Sequence, residues 1–194
     1  PLFILIGKLM EMTIIEGKDF AAAKLSEEDY ELIEFKNCSF QDCDLSNISF
    51  SDCIFTGCNL SLVTIANTKF QDCEFIDSKL LGLRFDEINT ILMDFSFTRC
   101  VILNCHFSNL ELKKFKFEGC QINECDFFGT NLESASFKEC DLNKSVFREC
   151  DLKKVDFSTA KNYDIDINFN EISKAVFTLP EATNLLRSLD IVLK

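Results

Sequence analysis

From Phe35 onward a large apolar residue recurs at every fifth position: Phe35, Phe40, Leu45, Phe50, Phe55, Leu60, Ile65, Phe70, Phe75, Leu80 and Phe85. The phase then slips by two residues. It resumes at Phe97 and continues through Ile102, Phe107, Leu112, Phe117, Ile122, Phe127, Leu132, Phe137, Leu142, Phe147, Leu152 and Phe157. A period of five matches neither a helix nor a flat strand. The chain must instead turn a corner every five residues and return beside itself. Such a path is a solenoid whose successive coils share ladder hydrogen bonds.

Two further positions support this reading. If the large residue is the centre i, all eleven cysteines fall at i−2 and none elsewhere. Their companions there include Thr68, Ser78, Thr130, Ala135 and Ser145. Residues i−2 and i point the same way, so a small and a large inward side chain alternate and fill a narrow interior. At i+2 stand Asn37, Asp42, Asn47, Asp52, Gly57, Asn67, Asp72, Asp77 and Gly82. These types tolerate a left-handed backbone, which puts the corner at or beside i+2.

The slip lies between Phe85 and Phe97. Either Leu92 is a centre and the extra residues form a bulge, or a longer loop projects. Leu92 as centre puts Thr90 at i−2 and Asp94 at the corner, and it spares Ile88, Ile91, Leu92 and Met93 from exposure. The bulge is therefore the preferred reading.

The segments "CDLSN", "CNLSL", "CDLNK" and "CDLKK" resemble the pentapeptide-repeat family, whose consensus is A-(D/N)-L-x-x. Cys in place of the Ala is a common variation there. The resemblance implies an all-β solenoid, a right-handed quadrilateral β-helix with four pentapeptides per coil. Residues twenty apart then stack, which places Cys100, Cys120 and Cys140 in one column and Phe95 over Phe115.

Three regions follow. Residues 1–34 are an N-terminal extension and acidic cap, with a weak repeat or two around "AAAKL". Residues before Met12 are read as an upstream extension outside the fold. Residues 35–160 are the β-helix. Residues 161–194 are a C-terminal cap and dimerisation segment, with a short helix that Thr178 caps and Pro180 opens. Ile191 to Leu193 are read as a short strand. Phe177, Leu179, Leu185, Leu186, Leu189 and Ile191 supply an apolar face. It covers either the chain's own last coil or a second copy across a two-fold axis.

The cysteines invite a chemical reading, but their spacing follows from the five-residue period. His106 is the single histidine, and C-x4-C is not the paired short spacing of a zinc site. Buried Cys behaves as a small hydrophobe. No Walker, Rossmann or G-x-S-x-G signature occurs. The expectation is a protein without catalytic or metal residues and without a cofactor. No apolar run spans a membrane, and the N-terminus lacks the pattern of a signal peptide, so a reducing cytoplasm is expected.

The net charge of −12 argues against direct binding to nucleic acid or to an anionic membrane. The charge is uneven. Residues 35–94 carry nine acids against four bases, and residues 95–160 carry ten against nine. Asp42, Asp52, Asp72, Asp77, Asp86 and Glu87 form the candidate partner-binding surface. Within the family, an acidic start, a coil and a C-terminal helix resemble the Qnr-type quinolone-resistance proteins and immunity proteins against gyrase poisons. That resemblance implies an acidic rod, dimeric through its C-terminus, that imitates duplex DNA and occupies DNA gyrase or topoisomerase IV. The alternative is an interaction scaffold with another protein partner.

Overall fold

The computed structural model describes residues 3–5, 8–21, 25, 29–189 and 191. Its body is a parallel β-solenoid with four faces. The five-residue period becomes a three- or four-residue extended stretch followed by a corner. One face stacks Thr13–Glu16, Ile33–Lys36, Ile54–Thr56, Cys73–Ile76, Phe95–Thr98 and Phe117–Glu118 in parallel register. The others are built the same way, as in Asn59–Ser61, Lys79–Leu81, Val101–Leu103 and Gln121–Asn123. Partners lie twenty residues apart before the slip, as in Phe35↔Phe55, and twenty-two across it, as in Phe75↔Phe97.

The centres form the core. Down one face Phe35, Phe55, Phe75, Phe97, Phe117, Phe137, Phe157 and Phe177 lie ring on ring, with centroids 4.9–5.4 Å apart. Rings on adjoining faces meet them edge-on, as Phe137 meets Phe147 at 90°. Offset stacking along the rod and edge contacts across it are the favoured aromatic geometries. All eleven cysteines are buried and unpaired. The expected columns are present. The Cys100 amide donates to Cys120 Sγ at 3.4 Å, and Phe95 meets Phe115 at 4.7 Å, edge-to-face rather than flat.

The i−2 slot selects for more than size. Cys58 Sγ donates to the Phe35 carbonyl at 3.2 Å, and Cys140 to that of Phe117 at 3.3 Å. Thr68 and Ser78 do the same to Leu45 and Phe55, at 2.8 and 2.9 Å. At these corners a centre's carbonyl faces the core, where an under-satisfied acceptor is costly, although that of Leu45 also accepts from Ile48 N. A small side chain with one donor satisfies it. Cys supplies that donor with the least polar group, which explains its abundance.

The corners take a left-handed backbone, with φ between 50° and 65° at Asn37, Asp42, Asn47, Asp52, Asn67, Asp72 and Asp77. Gly57 also leaves room for the Asn37 side chain, which would have to shift if a Cβ were present. A Cβ there would lie 2.5 Å from Asn37 Oδ1 in the coil below.

The ladder runs beyond the 35–160 span at both ends. Thr13–Glu16 pairs with Ile33–Lys36, and Asp29–Glu31 with Ser49–Ser51. Phe20 and Tyr30 are buried and stacked on Phe40 and Phe50. Residues 13–20 and 29–31 thus belong to the first coil. Before it, Phe3–Leu5 and Lys8–Met10 pair as an antiparallel hairpin. At the other end Val176 pairs with Asp156, and Phe177 closes the phenylalanine column.

The slip differs from the preferred reading. Leu92 is not a centre. It sits at a left-handed corner with φ 57°, and Ile91 and Leu92 are each 70% exposed. The ladder holds its twenty-residue offset to Asn89, which pairs with Lys69, and Ile88 fills the i−2 slot. Thr90 then turns outward, and Phe95 packs between Phe70 and Phe85, at 5.9 and 5.4 Å. A ring fills the vacated centre better than Leu92 would, so the inserted residues project.

Among the described residues, no helix is long and apolar enough to cross a membrane. The C-terminal helix is present at Glu181–Leu189, wound as a 3-10 helix. The Thr178 hydroxyl does not cap it. That hydroxyl donates to the Ser158 carbonyl, and it is the Thr178 carbonyl that accepts from Ala182 N, at 2.9 Å. Ile191 lies outside any strand, and Val192 and Leu193 lie outside the described residues.

Candidate partner-binding surface

The six acids expected to meet a partner are distributed over several edges of the rod. Asp42, Asp52, Asp72 and Asp77 each occupy a left-handed corner, because a carboxylate on a short side chain tolerates that backbone. Only Asp52 and Asp72 share an edge, one coil apart and thus about 4.8 Å along the axis. Asp42 lies on another edge, where Gln41 Nε2 donates to its Oδ2 at 3.2 Å.

Three of the six are ion-paired within the chain. Arg99 binds Asp77 with two hydrogen bonds of 2.7 Å. Arg84 binds Asp86 at 2.9 and 2.6 Å and lies 3.6 Å from Glu87. The Arg99 hydrogen bonds hold the Asp77 carboxyl below the usual range, and those from Arg84 do the same for Asp86. Asp86 and Glu87 belong to a 3-10 turn, Phe85–Glu87, at the start of the slip.

Asp52 behaves in the opposite way. Partial burial, then Asp72 and Glu31, push its carboxyl up. Asp94 is raised by burial and by Asp72. Asp52, Asp72 and Asp94 therefore form one column of like charge, with Glu31 beside it, one residue before the corner Leu32. Among the described residues no Lys or Arg forms an ion pair with any of them. Asp94 joins this column because the ladder pairs Cys73 with Phe95, a spacing of twenty-two that a strict count of twenty misses.

Past the slip, acids and bases pair between coils. Lys138 meets Glu118 at 3.4 Å, Lys144 meets Glu124 at 2.9 Å, and Lys154 meets Glu133 at 2.7 Å. The uncompensated negative potential is thus concentrated in the first half of the rod.

The C-terminal apolar residues divide into two groups. Phe177 stacks on Phe157 at 5.3 Å and meets Tyr163 at 5.6 Å, and Leu185 packs against the core. These two serve the chain's own last coil. Leu186 is half-buried, whereas Leu179, Leu189 and Ile191 are exposed.

The thiols face the core. Burial pushes Cys53 up to about 11, Cys58 to about 12 and Cys150 to about 11. Thiols so placed are poor nucleophiles at neutral pH. Among the described residues no cluster of three or more His, Cys, Asp and Glu side chains is arranged to hold a metal ion.

No curated protein matches the chain. Among solved structures, a trypsin-treated variant of QnrB1, a plasmid-mediated fluoroquinolone resistance protein, is 18% identical. It aligns over 94% of this chain and 99% of its own, with a TM-score of 0.61. Full-length QnrB1 is 19% identical over 94% and 99%, with a TM-score of 0.52. These likenesses concern the fold. The family model for the pentapeptide repeat region matches residues 48–127 and 104–177, most of the ladder described above. Period, inward slots, corners and family model agree: the chain belongs to the pentapeptide-repeat family.

Proposed function

We propose that the chain is a non-enzymatic binding rod that presents negative charge to a basic protein surface in place of duplex DNA. The observation that carries this reading is the column Asp52, Asp72 and Asp94, with Glu31 beside it, whose carboxylates have no cation paired to them among the described residues. Regularly spaced charge along a straight edge is what a phosphate backbone offers. The partner proposed is DNA gyrase or topoisomerase IV, and the consequence is protection against quinolones or similar poisons. The likeness in fold to a fluoroquinolone resistance protein supports that choice.

Within this reading Asp42, two corners away on the far edge of the coil, adds charge apart from the column. Asp77, Asp86 and Glu87 contribute once a partner draws Arg99 and Arg84 away. A homodimer in a reducing cytoplasm completes the account, with Leu179, Leu186, Leu189 and Ile191 against their copies and Phe177 and Leu185 supporting them from beneath. Supercoiling by gyrase, inhibited by a fluoroquinolone, tests it. Added protein restores supercoiling if the reading holds. Neither restoration nor inhibition over a wide range of protein concentration removes it.

One observation favours a second reading. The rod is polarised, since its second half pairs acids with bases. An interaction scaffold for another protein would use such a surface equally well.

A further inference from the structure

The chain has four arginines. Arg84 and Arg99 each grip a carboxylate with two hydrogen bonds. Among the described residues Arg148 and Arg187 form no ion pair. Both line one groove of about 580 Å³ beside the last coils, where Val146–Phe147 pairs with Asp164–Ile165. An insertion builds one wall of it. Phe147 and Leu152 are five residues apart, but Ile165 and Ile172, which lie against them in the next coil, are seven apart. The two extra residues carry Phe169 outward. Side chains fix this loop. Asn170 holds the i−2 slot, donating to the Phe147 and Asp166 carbonyls at 2.9 and 2.8 Å and accepting from Cys150 N at 3.0 Å. Asp166 Oδ1 accepts from Asn168 N and Nδ2 at 2.8 and 3.0 Å. Phe169 is thereby held half-exposed, with the Arg148 guanidinium 5.1 Å from its ring centroid. Contact with a ring face uses none of the guanidinium donors.

We propose that this groove binds a free α-amino acid with a large apolar side chain. Its volume is that of a small-molecule site. Arg148 and Arg187 donate to the ligand's carboxylate, the planar acceptor that a guanidinium fork matches. The ligand's ammonium meets Asp164, which is exposed and has no cation paired to it among the described residues. Its side chain lies against Val146 and Phe169, both half-exposed. The mixed lining decides against simpler ligands. Asp164 and Asp166 repel a dianion such as phosphate, and the two arginines repel a plain amine. The third cation of the groove, Lys144, is held by Glu124 at 2.9 Å. Arg148 stands on the ladder and Arg187 on the helix Glu181–Leu189, so a bound carboxylate ties helix to coil. The groove is open to solvent, which screens these charges and makes binding weak. The proposal does not rest on the topoisomerase reading, whose unpaired acids lie in the first half of the rod.

Titration of the full chain, followed by the chemical shifts of its backbone amides, tests the proposal. L-phenylalanine and L-leucine are the probes. Either gives saturable shifts at Val146, Arg148, Phe169 and Arg187. Phenylalanine amide, which lacks the carboxylate, and N-acetylphenylalanine, which lacks the ammonium, each bind about tenfold more weakly, the loss of one charge-assisted contact. Inorganic phosphate leaves these amides unmoved. Arg148, Arg187 and Asp164 are all exposed, so their substitution leaves the fold intact. Arg148→Gln and Arg187→Gln each weaken phenylalanine about tenfold but leave phenylalanine amide unchanged. Asp164→Asn weakens phenylalanine and leaves N-acetylphenylalanine unchanged, which a merely structural role would not produce. No saturable shift with either amino acid overturns the proposal. So does equal binding of phenylalanine and its two derivatives, binding of phosphate at the same amides, or indifference to all three substitutions.

Discussion

Arg99 reaches back over one coil and grips Asp77 with two hydrogen bonds of 2.7 Å, Nε to Oδ1 and Nη2 to Oδ2. A corner acid that the repeat alone presents as free charge is thereby compensated. Asp77→Asn is expected to weaken binding to a basic partner less than Asp52→Asn or Asp72→Asn. Titration calorimetry of the three variants against the same partner checks the order. For stability, a carboxyl held below its unfolded value contributes above about pH 4, and the contribution is lost as pH falls through the folded value. Thermal scans of Arg99→Ala should therefore show a small deficit near pH 7, as expected for an exposed pair, that disappears at pH 2.

Asp52 reports the reverse sign. Its carboxyl is raised by burial, Asp72 and Glu31, so the ionised form costs stability at neutral pH. The cost is relieved as pH falls through the raised value and the group takes up a proton. Asn fits the same left-handed corner, as Asn47 and Asn67 do. Asp52→Asn is expected to raise the melting temperature at pH 7, with the gain vanishing near pH 3.

Ser78 works on two coils at once. Its hydroxyl donates to the Phe55 carbonyl at 2.9 Å and accepts from Cys58 N at 2.9 Å. Ser78→Ala leaves a donor and an acceptor unsatisfied in the core and is expected to cost about 1–3 kcal/mol in urea unfolding. Ser78→Cys keeps a small donor and should recover most of the loss.

Phe75 lies between Phe55 and Phe97, at 4.9 and 5.2 Å. Phe75→Ala removes a ring from the middle of the column and should cost about 3–5 kcal/mol. The same change at Phe177, which closes the column and is only partly buried, should cost less.

The repeat was readable because inward size recurs at every fifth residue, so the faces, the cysteine slots and the corners at Asp52 and Asp72 follow from spacing alone. The first coil was hidden. Lys18 holds an i−2 position there, where the open end of the rod lets its ammonium leave the core and lie 4.8 Å over the Phe20 ring. At the slip, Leu92 and Phe95 are both apolar, and only packing between Phe70 and Phe85 decides which one turns in. Outward residues carry no period. The pairing of Arg99 with Asp77, and of Arg84 with Asp86, is therefore set by how the coils fold and stack, and so is which acids remain open to a partner.

Competition on gyrase addresses the central claim most directly. A fluorescent DNA duplex bound to gyrase is titrated with the chain, and anisotropy is followed. The duplex should be released, and Asp52→Asn with Asp72→Asn in one chain should raise the concentration required about tenfold, in keeping with charge-dominated recognition. A duplex that stays bound at every concentration, or release that ignores both substitutions, contradicts DNA mimicry by this edge.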